Sequence, residues 1–235
     1  MKISYLFDST KDLSDLKKGE NLLEIFSSNG LIIEKVGTQE PIRELFDIDK
    51  MPEMWRGSGM EGKCSSCGFL FKGQKDIKFS GMVNWNLNLH PNSRALNGIS
   101  LWLNIPKKYD TNRLIQLGDD IFTWSKAEYG YITEDSKIPK PLTINIHDGL
   151  AGLTWVNYFG SSYMVEPDFH IPDDHVQIGH GVRVKLSETP NDELLGDSDF
   201  LQSIKNEIGA EWFWDYPIKH KRRKPKLDKS EIIRR

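Results

Sequence analysis

Residues 77–89 read IKFSGMVNWNLNL, and their alternation decides the fold. Ile77, Phe79, Val83, Trp85, Leu87 and Leu89 fall on one side of an extended chain, with Lys78, Ser80, Asn84, Asn86 and Asn88 on the other. A period of two is the mark of a half-buried strand. Residues 90–98, HPNSRALNG, carry turn chemistry, and 99–106, ISLWLNIP, form a second strand closed by Pro106. Asp110 or Thr111 then caps a helical run, NRLIQLGDDIFTWSKAEYG (112–130), in which Leu114, Leu117, Ile121 and Trp124 recur at i, i+3, i+7 and i+10. This is a β-β-α unit.

The same order returns after the Pro-broken loop KIPKP (137–141). LTINIHDG (142–149) and LTWVNYFG (153–160) read as strands, and HVQIGHGVRVKLSE (175–188) reads as a strand whose alternate residues Val182, Val184 and Leu186 are apolar. DFLQSIKNEIGAEWFW (199–214) reads as a helix stopped near Gly209. Two strand groups, each followed by one long helix, predict an α+β fold: a mixed or antiparallel sheet with its helices mainly on one face, in two β-β-α-like halves. In an extended 153–160, Trp155 and Asn157 would share one face, with Thr154, Val156 and Tyr158 on the other. Packing is the expected role of this aromatic run, because its glycines bracket the aromatic groups instead of forming one phosphate-binding turn.

Upstream, NLLEIFSS (21–28) before Asn29-Gly30 reads as a helix with a Gly stop, LIIEKV (31–36) as a strand, and PIRELFDI (41–48) as a short helix opened by Pro41. Residues 51–75 hold five glycines and read as an irregular connection or hairpin tip. A single domain over 1–235 is expected, with a 75–216 core, a less readable part before residue 70 and a basic tail at 217–235.

Hydrophobic content of 38%, charged content of 28% and a net charge of -3 describe a globular chain without the basic excess of a dedicated nucleic-acid binder. No apolar run approaches a membrane span, the N-terminus lacks a secretory core, and the two cysteines fit a reducing compartment, so a cytoplasmic protein with no membrane partner is expected. The charge is unevenly placed. Nine acids between Glu166 and Asp199 face Arg183 and Lys185, whereas nine basic residues between Pro217 and Arg235 face Asp228 and Glu231. Such asymmetry reports partner surfaces or a solvated tail.

Motifs for chemistry are thin. Cys64-Ser-Ser-Cys67 lacks the second pair that a structural zinc site needs and sits between glycines, away from a strand-to-helix redox position. His170, Asp173, Asp174, His175 and His180 are metal-capable but match no ligand spacing, and Ser161-Ser162 lack the GxSxG elbow. No cofactor and no catalytic residue is assigned. Two alternatives remain: a metal- or redox-dependent enzyme using Cys64 and Cys67 with histidines, and a nucleic-acid-binding regulator acting through KHKRRKPK (219–226). That basic run lacks interleaved aromatics to stack bases.

The C-terminal half resembles the immunity proteins of bacterial polymorphic toxin and type VI secretion systems, in particular the immunity protein 52 family and the DUF3396 type VI immunity family. The residues that carry the likeness are a W-x-N-Y-x-G core (Trp155, Asn157, Tyr158, Gly160), an S-E-x-P-like turn (Ser187, Glu188, Pro190) and Gly209 with Phe213 after the last helix. It spans about residues 75 to 230 and is clearest over 149–216. The resemblance implies a non-enzymatic inhibitor that binds one cognate toxin domain, and, separately, a sheet with open edges would allow a homodimer. A nuclease toxin with a basic cleft would be met by Asp173, Asp174, Asp192, Glu193, Asp197 and Asp199.

Overall fold

A computed structural model describes residues 1–56, 66–106, 108–140, 146–217 and 221–233. Cys64, His220 and residues 142–145 of the strand expected over 142–149 lie outside them, and residues 146–148 form a turn instead of continuing that strand. Ten strands join one sheet: β1 (Lys2–Ser9), β2 (Lys35–Gly37), β3 (Glu44–Leu45), β4 (Ser66–Gly73), β5 (Lys78–Asn86), β6 (Asn97–Asn104), β7 (Tyr129–Glu134), β8 (Val156–Phe159), β9 (His175–Ile178) and β10 (Gly181–Lys185). The spatial order is β3-β2-β4-β5-β6-β1-β7-β8-β10-β9, and every neighbouring pair is antiparallel. The helices are α1 (Leu16–Ser28), α2 (Met51–Arg56), α3 (Thr111–Ser125), the single turn α4 (Ser161–Met164) and α5 (Ser198–Ile208).

Within the alternating stretch 77–89, Lys78–Asn86 forms β5, with Phe79, Val83 and Trp85 buried, and it pairs with β6 as the turn residues require. Asp110 caps α3 by accepting from the Asn112 backbone N–H, and the helix ends at Lys126 in the left-handed region (φ 47°). β7 follows at once, so the helical run stops short of the 112–130 span read from sequence.

Because successive strand residues face opposite sides, two hydrophobic clusters sort onto the two faces. Ile3, Tyr5 and Phe7 of β1, Ile132 of β7, and Val156 and Tyr158 of β8 join Leu22 and Phe26 of α1, Trp55 of α2 and Phe122 of α3 on the first face. Tyr129, Tyr131, Phe159, Val182 and Val184 face the second, where Ile208 of α5 packs with Trp212 and Phe213. The helices therefore divide: α1, α2 and α3 on one face, α5 on the other.

Four local expectations are corrected. PIRELFDI forms no α-helix; Glu44–Leu45 is an edge strand on β2 and Ile48–Lys50 a single 3-10 turn, because pairing with Lys35 and Val36 outweighs the Pro41 helix-start signal. The strand read from LIIEKV shrinks to Lys35–Gly37. The 51–75 connection holds α2 and all of β4, which pairs with β5 along its length. HVQIGHGVRVKLSE is a hairpin of β9 and β10, whose two-residue loop puts Gly179 at φ +54°, as the first central position of a II′ turn demands.

Candidate partner-binding surface

The W-x-N-Y-x-G residues are structural. Trp155, Asn157 and Tyr158 are fully buried, and Trp155 lies before β8 in the same cluster as Val156 and Tyr158, which corrects the alternation expected for an extended 153–160. The Asn157 side chain bends the chain there: its Oδ1 accepts from the Thr154 N–H (3.0 Å) and its Nδ2 donates to the Thr154 carbonyl (2.8 Å). The Trp155 indole N–H donates to the Ser187 carbonyl, tying the bend to the loop after β10. A Cβ at Gly160 would stand 2.4 Å from the Ala127 carbonyl oxygen, so only glycine lets the start of α4 approach the α3–β7 junction. The motif holds the half of the sheet that displays the charged loops.

A polar clamp lies beside it. Arg183 of β10 pairs with Asp119 of α3, and the Tyr158 hydroxyl donates to the same carboxylate (2.9 Å). Burial raises the Asp119 pKa above the usual carboxylate value, opposed by Arg183 and the Tyr158 hydrogen bond. The Tyr158 hydroxyl is itself held well above its ordinary value, first by burial and then by the Asp119 charge. These groups fasten α3 to the hairpin and are enclosed by it.

The six acids occupy three short segments. Asp173 and Asp174 are exposed in the turn entering β9. Asp192 caps the 3-10 turn at Glu193–Gly196 by accepting from Leu194 N–H, and Asp197 caps α5 by accepting from Asp199 and Phe200 N–H. Two of the six therefore have structural duties, while Asp173, Asp174, Glu193 and Asp199 are exposed and make no ion pair among the described residues. The register brings the segments to one end of the sheet: His175 pairs with Val184, next to Lys185, where β10 ends and the chain leaves for residues 186–197. Lys137 holds that loop by donating to the Asp192 carbonyl (3.0 Å). Val176 (44% exposed) on the outer strand β9 and Leu194 (45%) set apolar groups among the acids. Exposed apolar side chains beside polar groups are features of a protein-binding surface.

The metal-capable residues part company. His170 and His175 are exposed, and the His175 Nδ1 meets the Pro172 carbonyl (2.9 Å). His180 stacks on Phe122 (4.5 Å, 16°) and its Nε2 meets the Ala127 carbonyl (2.7 Å). Among the described residues no three His, Cys, Asp or Glu side chains gather as a metal site would require. Ser162 is buried, its hydroxyl donating to Glu128 (2.6 Å) beneath α4. Cys67 lies in β4 opposite Trp85. No described helix is long and apolar enough to cross a membrane.

Sequence reasoning missed the environment of the basic tail. Arg223 pairs with Asp168 and Glu211 (3.2 Å to Glu211), and its backbone N–H donates to the Glu211 carbonyl. Arg222 lies over the Trp214 ring (4.3 Å). Residues 221–233 are laid on the domain, with Ile232 fully buried.

No family model matches the chain, and no curated protein matches it. Among solved structures its fold is similar to that of the Pseudomonas aeruginosa T6SS protein PA0821, with a TM-score of 0.52 and 12% identity over 88% of this chain and 75% of that one. At that identity the likeness is one of fold.

Proposed function

We propose that this chain is a type VI-related immunity protein: a non-enzymatic inhibitor that binds a cognate toxin domain through the acidic end of the sheet. The observation that carries the reading is the convergence of exposed acids and exposed apolar groups at the β9–β10 end, on a fold shared with a T6SS protein. The W-x-N-Y-x-G likeness to immunity families adds to it. The partner is a basic protein surface, as a nuclease cleft would be, and the acids speed its approach by long-range attraction. The experiment is co-expression with the product of the adjacent gene. Growth arrest by that product, relieved by this chain in a stable complex, supports the reading; a harmless neighbour that forms no complex removes it. Reversing Asp173, Asp174, Asp192 and Glu193 together to Lys should lower the association rate at low salt by about tenfold or more. An unchanged rate excludes these residues from the interface.

A further inference from the structure

The C-terminal segment builds a second charged surface, of opposite sign. Residues 221–226 border a cleft of about 690 Å³, walled by Trp212 and Glu166. Two arginines are committed to building it. Arg223 is held by Asp168 and Glu211, and Arg222 is pinned over Trp214 with its Nε donating to the Tyr216 carbonyl (3.3 Å). Downstream the chain is fixed again: Lys229 donates to the Ser93 carbonyl (2.7 Å), and the Leu89 N–H donates to the Ile232 carbonyl (2.9 Å). Between and beside these anchors Lys221, Lys224 and Lys226 are exposed and make no ion pair among the described residues. Holding three lysines on a fastened stretch lowers the entropy lost when they meet a ligand.

We propose that this cleft binds an acidic polypeptide segment of a partner protein, carboxylates meeting Lys221, Lys224 and Lys226. Charge complementarity selects an anion, and the surroundings select a peptide over a nucleic acid. Of the acids that line or adjoin the cleft, Asp168 and Glu211 are paired with Arg223, and Glu166 acts on any anion alike, so the choice between peptide and nucleic acid rests on stacking. Among the described residues that line the cleft, bases would find no open ring: Trp212 is 1% exposed, and the neighbouring Trp214 lies under Arg222. Lysine ammonium groups act as point charges and accept carboxylates in varied geometry, which suits an extended acidic segment.

The test is fluorescence anisotropy on the full chain with a fluorescein-labelled deca-glutamate peptide and, separately, a ten-residue oligothymidylate of the same charge class. The expected result is peptide binding at low salt, weakened at least tenfold by the triple change Lys221→Ser, Lys224→Ser and Lys226→Ser. It should move by less than twofold in the control Lys17→Ser, Lys75→Ser and Lys78→Ser, which alters three exposed lysines elsewhere. Near-UV circular dichroism matching the parent shows that each variant is folded, and Lys224→Glu alone serves if the triple variant is not. The proposal is overturned if the peptide does not bind, if both triple variants weaken it equally, or if the oligonucleotide binds more tightly through the same lysines. None of these outcomes depends on the acidic surface at the β9–β10 end.

Discussion

The sheet changes character along its width. From β4 to β1 the second face is only half buried: Leu70, Met82, Ser100 and Leu6 form one cross-strand row, with Trp102 and Ser80 in the next. The same row continues through Tyr131, Asn157 and Val184, and there it is closed by Phe169, Ile208, Trp212 and Phe213. One side of the sheet is thus a two-layer structure and the other a three-layer one. The lesson is that the C-terminal half covers itself with its own α5 and tail, so charged loops at that end rest on a core of their own. An open concavity of about 470 Å³ remains over Leu6, Trp102 and Tyr131 where the cover stops.

This contrast can be broken most forcibly at one fully buried tryptophan in each cluster. Trp155 packs in the first cluster and Trp212 in the second, each 1% exposed or less. Replacing either by Ala should cost about 3–5 kcal/mol. The sheet runs unbroken through both clusters, so each variant is expected to lower one shared unfolding midpoint, followed in parallel by fluorescence and far-UV circular dichroism in urea. Two separate transitions in Trp212→Ala, with the first cluster unmoved, would show that the three-layer half folds as its own unit.

Asp8 stands at the seam, opposite Gly98 on one side and Tyr129 on the other. Burial pushes its carboxyl up to about 7. The native state then holds a proton that the unfolded chain releases near its ordinary carboxylate value, so this group's contribution is full below about pH 4 and is lost as pH rises through about 7. One pKa unit is worth about 1.4 kcal/mol, and Asp8 is partly exposed, so Asp8→Asn should raise stability by about 1–2 kcal/mol at pH 8 and leave it unchanged at pH 4. Equal gains at both values would show that the seam does not titrate.

Legibility from sequence followed the same division. β5, β6 and α3 showed their period because one face of the strands is open and polar residues mark it. β7, YGYITE, is buried on both faces except at its last residue and shows no alternation, so nothing separated it from the end of α3. β1 alternates at Ile3, Tyr5 and Phe7, a signal present in KISYLFDS but passed over at a chain start. At the candidate surface the acids were legible as charge. Their sharing of one end was not, because it depends on the hairpin register; nor was the fixing of Arg223, whose partners Asp168 and Glu211 are distant in sequence.

The capping roles offer the smallest and most discriminating effect. Asp197 accepts from two N–H groups at the start of α5, whereas Asp173 sits exposed in a turn and accepts no side-chain hydrogen bond among the described residues. Asp197→Ala should therefore cost about 1 kcal/mol of stability, and Asp173→Ala less than about 0.5. If partner binding uses the exposed acids, the difference vanishes in association kinetics: Asp173→Ala and Asp197→Ala each remove one exposed charge and slow the approach alike. Measured side by side by urea denaturation and stopped-flow binding, equal stability losses would mean that the Asp173 turn is itself structural. The acidic surface would then contract to Asp174, Glu193 and Asp199, the acids that remain exposed and hold no element in place.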